Sequence, residues 1–174
     1  MRHSHLIAAA AALCALCSCS KEGAKLFEGS YSYKMSGELS YAATSPADEN
    51  AVVTAPDDLT FKLQSESGQM NILCRDRKSG SMTLTLNAVG GDVYVVDATA
   101  EGSALKTSEM PKTFKVTDSG QSFIKLEVVL DGEGEKLDDV VLLHLRAKSG
   151  TLRYLGRDYK VSTSRIECVA KEND

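Results

Sequence analysis

Few side chains in this 174-residue chain can do chemistry once its N-terminus is set apart. The only thiols are Cys14, Cys17, Cys19, Cys74 and Cys168, and the only imidazoles are His3, His5 and His144. Behind the weakly basic start Arg2-His3-Ser4-His5, residues Leu6 to Leu16 form an unbroken apolar run of eleven. A bilayer-spanning helix takes about 20 apolar residues; the shorter run has the form of a secretory leader core. Cleavage behind it removes two cysteines and two histidines. The remaining His144 lies in an apolar run and reads as a partly buried strand residue. A single imidazole excludes a multi-histidine zinc site and leaves any Ser/His/Asp or Cys/His system resting on one residue. The acidic stretch from Asp131 to Asp139 starts like a calcium loop, but its sixth position is Lys136 and its twelfth Leu142, where such loops need Gly and Glu. It reads as a solvated hairpin loop. Neither a catalytic set nor a metal site is expected, and no cofactor.

The most specific motif is Leu16-Cys17-Ser18-Cys19. It resembles the bacterial lipobox, in which the cysteine thiol is acylated before the leader is cut in front of it. Cys19 is then the lipidation site, and the chain is held to a membrane by its acyl chains, each buried methylene contributing about 0.8 kcal/mol. Ser20 rather than Asp behind the cysteine resembles lipoproteins that proceed to the outer membrane. Lys21-Glu22 partly matches a surface-export signal, which leaves the periplasmic and cell-surface faces both open. Loss of residues 1–18 takes away only Arg2 among the charged residues, so 24 acidic residues then face 19 basic ones. An acidic domain with no basic stripe is not expected to bind nucleic acid.

Cys74 shares a strand face with Met70 and Ile72, and Cys168 one with Ile166. An oxidising compartment permits a Cys74–Cys168 disulfide across 94 residues, which would contribute about 4 kcal/mol. Two buried free thiols packed as small hydrophobes fit the sequence equally well.

The elements that would position these groups are strands. From Ser30 to Tyr41, apolar and polar residues alternate, with Tyr31, Tyr33, Met35, Leu39 and Tyr41 on one face. The same period recurs at Leu59, Phe61 and Leu63, at Met82, Leu84 and Leu86, and at Ile124, Leu126, Val128 and Leu130. Turn signals punctuate these runs at Ser67-Gly68, Ser79-Gly80, Gly90-Gly91, Gly102, Ser119-Gly120, Asp131-Gly132 and Ser149-Gly150. Long loops are expected at residues 44–58 and 97–112. Residues 137–148 fit a helix with acids first and bases last. They fit better a buried strand paired with residues 151–155 across a Lys148-Ser149-Gly150 turn. The expected fold is all-β, an antiparallel up-and-down meander of about eight to ten strands that must close into a barrel or pack as a β-sandwich to hide its edges.

The lipobox, the short tether, the opening strand Gly29-Ser30-Tyr31-Ser32-Tyr33-Lys34-Met35-Ser36-Gly37 and the arm Gly68-Gln69-Met70-Asn71-Ile72 resemble small lipoproteins of Bacteroides-type bacteria with a calycin-like (lipocalin-like) barrel. The chain lacks the Gly-x-Trp signature of true lipocalins and has Gly29-Ser30-Tyr31 in the comparable place. The resemblance implies a leader over 1–18, lipidated Cys19 and a tether over 19–26, one barrel over 27–170 and a tail over 171–174. Tyr31, Tyr33, Met35, Tyr41, Phe61, Met70 and Met82 would line its interior, since tyrosines and flexible methionines suit an apolar cavity. They suit a filled core as well. Two functions follow: an outer-membrane-anchored, non-catalytic binder of an apolar small molecule or lipid, or an accessory lipoprotein with a filled barrel that binds an envelope protein or glycan through its loops.

Overall fold

The computed structural model describes residues 23–47, 52–117 and 123–174. The leader, the lipobox with Cys19 and the Ser119-Gly120 turn lie outside the described residues. A short helix α1 (Gly23–Phe27) precedes eight strands, β1 (Gly29–Ala43), β2 (Asp58–Asp76), β3 (Ser81–Ala88), β4 (Val93–Glu101), β5 (Ala104–Thr117), β6 (Phe123–Leu137), β7 (Val140–Tyr154) and β8 (Arg157–Glu172). Each strand pairs antiparallel with the next and β8 pairs back to β1, so the meander closes into a barrel. The all-β expectation holds. Helix α1 begins inside the stretch assigned to the tether, and β8 runs into the stretch assigned to the tail.

Alternation builds the interior. Along β1, Tyr31, Tyr33, Met35, Leu39 and Tyr41 are buried while Ser30, Ser32, Lys34 and Glu38 are exposed. The segment left between helix and strand is β7, with Val141, Leu143 and Leu145 buried. It does not turn at Ser149-Gly150; the strand runs unbroken to Tyr154. The 97–112 stretch is likewise not a long loop, because β4 continues to Glu101 and β5 starts at Ala104.

Tight turns do form at Ser79-Gly80, Gly90-Gly91 and Gly102. Leu155 and Gly156 join β7 to β8 with positive φ at both residues, as a two-residue type I′ hairpin requires. Three other glycines taken as turn signals sit inside strands for a different reason, close approach of another backbone. A Cβ on Gly68 would lie 2.0 Å from the Asn87 carbonyl oxygen, and one on Gly132 would lie 2.7 Å from that of His144. A Cβ on Gly150 would meet the Val128 side chain at 2.7 Å and the Glu127 carbonyl oxygen at 3.0 Å. The stretch from Asp131 to Leu137 is therefore strand, and the turn falls at Asp138-Asp139.

The two ends of the barrel differ. The proximal end carries α1, three short turns and the end of β8, and α1 closes it: Ala24 and Phe27 are fully buried, and the Tyr31 hydroxyl donates to the Phe27 carbonyl at 2.7 Å. Lys136 reaches in from β6 to the Glu172 carboxylate (2.6 Å) and the Tyr31 hydroxyl (2.9 Å). The distal end carries the β1–β2 connection. Arg157 pins its two arms, donating to the carbonyls of Ser45, Ala55 and Pro56 and pairing with Asp57 at 2.8 Å.

The contrast among the glycines is measurable. Gly68→Ala should destabilise the barrel by about 3 kcal/mol or more, since overpacking here meets backbone rather than a side chain that can move. Gly90→Ala, with open space around it, should change stability by less than about 1 kcal/mol in the same urea titration. Equal effects would refute the close-approach reading of Gly68.

Candidate functional site

All seven residues expected to line a lumen face inward, but they fill the space. Tyr31, Tyr41, Met70 and Met82 have no accessible surface, and Tyr33 and Met35 almost none. An internal void the size of a water would leave such side chains accessible from within. Leu84, Leu126 and Leu130, from the opposite wall, are equally closed off, and the side chains interdigitate as in a solid core. Toward the distal end inward-facing apolar surface stays half-buried, at Leu59, Phe61, Ile124, Leu152, Tyr154 and Val161. The Phe61 ring packs edge-on against Tyr41 with centroids 6.0 Å apart. Burial pushes the Tyr41 phenol up to about 12, and its hydroxyl is the buried side-chain polar atom recorded without a partner among the described residues.

The barrel wall is uneven. β3 and β4 are short, and β4 pairs with β5 over only four residue pairs, from Ala98 opposite Thr107 to Glu101 opposite Ala104. Beyond Thr107, β5 leaves β4 and heads for β2, which has itself outrun β3 at Gly68. Two bulges make this work. In β2 one extra residue separates Glu66 from Leu63 relative to Met35 and Gly37 on β1, and in β5 one extra residue separates Thr107 from Met110 relative to Gly132 and Leu130 on β6. A bulge reverses the faces of every residue after it. Glu66 and Lys112 thereby turn inward, and strict alternation counted from Leu63 or Leu105 would put both outside.

These two groups meet across the seam. Lys112 Nζ donates to both Glu66 oxygens, at 3.0 and 2.8 Å, and the lysine side chain is 0% exposed while that of Glu66 is 22% exposed. The Tyr33 hydroxyl donates to the same carboxylate at 2.9 Å. The ammonium also lies 3.7 Å from the centre of the Tyr94 ring and 5.1 Å from that of Phe114. Burial raises the Tyr33 phenol strongly, with the Glu66 hydrogen bond and charge adding to it; burial likewise raises Tyr94. With two N–H groups donated to the two Glu66 oxygens and the ammonium seated over the Tyr94 ring, this cluster is built as a latch between β5 and β2.

Outside the latch, the divergence of β4 from β5 leaves a groove. Its upper part is a cleft of about 650 Å³ lined by Asp92 and Tyr94 on one side and by Pro111, Thr113, Lys115, Lys125 and Glu127 on the other. A second, separate hollow, where β4 and β5 are still paired, is lined by Asp97, Thr99, Lys106 and Ser108. Sequence reasoning missed this groove, the latch and the Arg157 clasp, because the latch and the clasp join strands far apart in the chain and the groove depends on where the β4–β5 ladder stops. The sequence signal available was a lone Glu and a lone Lys at positions of a strand where the period is broken.

The two thiols are free. Cys168 lies opposite Met35, and Met35 lies opposite Glu66, so Cys74 is eight residues further along β2, roughly 26 Å away at strand rise. A disulfide needs Cα atoms within about 7 Å. Burial, and next the Glu66 charge, push the Cys168 thiol up to about 12. His144 is exposed rather than partly buried, since Leu143 and Leu145 take the inward positions, and its Nδ1 stands 3.9 Å from Glu167.

Removing one partner of the latch strands the other. Lys112→Met should cost about 3 kcal/mol in denaturant unfolding, and the double change Lys112→Met/Glu66→Leu should recover most of it; a single-variant cost below about 1 kcal/mol would mean that the pair holds nothing. At pH 8, Cys168 should resist alkylation in the folded protein. In urea without reductant both cysteines should alkylate, as read by peptide mass mapping. Protection of either in urea would reinstate the disulfide.

Compared with known proteins, the chain matches no family model and no curated relative.

Proposed function

We propose that this chain is an outer-membrane-anchored envelope lipoprotein, attached through Cys19, whose calycin-like barrel is a filled, non-catalytic scaffold that binds another envelope component on its outer surface. The observation that carries this reading is the absence of accessible surface on Tyr31, Tyr41, Met70, Met82, Leu84 and Leu126 at the heart of the barrel. A carrier of an apolar small molecule needs space, and these side chains occupy it. What remains for binding is the outside: the groove beside β4 and the half-buried apolar distal end.

The anchor orients these surfaces. α1 starts four residues after Cys19, at most about 14 Å of extended chain. The proximal end therefore lies close to the lipid, and the distal end and the upper groove point away from it.

Two measurements test this. Labelled palmitate should enter the protein in its producing cells, and Cys19→Ala should abolish the label and leave the leader uncut, read as a heavier polypeptide; a labelled Cys19→Ala variant would sink the anchor. A native mass spectrum of the purified protein should show the acylated polypeptide alone. An apolar molecule bound at one equivalent would reinstate the carrier reading.

A further inference from the structure

The groove beside β4 is bounded by an open strand edge. β3 covers one side of β4 along its length, from Ser81 opposite Thr99 to Asn87 opposite Val93. On the other side, pairing with β5 stops at Ala98, so residues 93–97 have no strand partner there among the described residues. Exposed edges are ordinarily blunted by proline, lysine or a bulge. The facing edge of β5 has all three, in Pro111, Lys112 and the bulge between Thr107 and Met110. The β4 edge, Val93-Tyr94-Val95-Val96-Asp97, has none of them. Its outward face carries exposed Val93 and Val95, with Asp97 held by Arg75 at its lower end, and Leu73 of β2, across Thr83, is 59% exposed.

The far wall of the groove adds a charge requirement. Lys115 and Lys125 lie directly opposite each other across the β5–β6 ladder, both exposed and both lining the upper cleft. Like charges in directly opposed positions destabilise a sheet. Asp92 and Glu127 also line the cleft, but neither forms an ion pair with Lys115 or Lys125 among the described residues. An anion placed between them would relieve the repulsion.

We infer that the groove is a strand-addition site for a partner protein, which supplies an extended segment that hydrogen-bonds to the free edge of β4 and places an acidic side chain between Lys115 and Lys125. This rests on the reading that the barrel binds on its outside and names the mode and chemistry. Main-chain pairing supplies the affinity and the alternate side chains supply the choice of partner. Val93, Val95 and Leu73 offer the adjoining surface for apolar side chains of the incoming strand. The groove lies on the side wall above the proximal end, so an anchored barrel can still present it to a neighbour in the same envelope.

The test places photo-reactive p-benzoylphenylalanine at Ser108, exposed on β5 one residue past the end of its ladder with β4, or at Phe123, exposed at the distal end, in the full-length chain in its producing cells. The expected result is a discrete protein adduct from Ser108, mapping to an extended segment with an acidic residue. Lys115→Glu/Lys125→Glu should reduce that adduct at least five-fold, while Lys34→Glu on the outer face of β1 should leave it unchanged. An adduct that ignores the charge reversal, or one formed only with lipid or a second copy of this chain, overturns the inference. Adducts from Phe123 alone overturn the groove but keep outside binding; none from either position overturns both.

Discussion

Closure of the wall between β2 and β5 is the constraint on which the rest of the structure depends. Eight strands are too few to leave slack, and two of them, β3 and β4, stop short. The strands on either side must therefore meet above the short hairpin without a backbone ladder between them. The meeting is made by side chains: the Lys112–Glu66 pair and the Gln64–Thr117 contact at 3.3 Å. An ammonium with no accessible surface is costly to desolvate, and it is tolerated because two carboxylate oxygens and two aromatic faces share its charge, while the Tyr33 hydroxyl donates to the carboxylate. The pair specifies the register of closure more than it adds stability, since an apolar pair of similar volume would pack without that desolvation.

Filling the barrel follows from the same geometry. A small barrel brings opposite walls within reach of each other's side chains, and three tyrosines on β1 with methionines on β1, β2 and β3 are long enough to cross the middle. Polar tips are then drawn to the ends or the seam. Tyr31 ends at the Phe27 carbonyl, Tyr33 at Glu66 and Tyr159 at the Pro56 carbonyl 2.7 Å away. Tyr41 alone among these ends without a partner, which costs about 1–3 kcal/mol. A solid interior moves recognition to the outside, where the shortness of β4 that required the latch also leaves an edge exposed. The latch and the groove are two sides of one irregularity.

The fold was largely legible because period-two patterning is a local property. Tyr31 to Tyr41, Met82 to Leu86 and Ile124 to Leu130 each announce a half-buried strand with no knowledge of the rest of the chain, and glycines in open turns such as Gly90-Gly91 announce its end. Gly68, Gly132 and Gly150 misled for a physical reason: glycine serves both where the backbone turns and where another backbone passes close, and the residue type is the same. The site was less legible. Glu66 and Lys112 face inward only because a bulge precedes each, and a bulge is visible only once the partner strand is known.

The sequence by itself determined that the chain is a succession of half-buried strands with tyrosine and methionine on the inner face, since alternation depends on neighbours two residues away. Only the tertiary structure decided that eight strands close, that the inner face is packed solid, that Cys74 and Cys168 stand too far apart to bond, and that β4 is left with a free edge. Each of these depends on register and stagger between strands distant in the chain, and those are set by bulges, short hairpins and the meeting of β1 with β8.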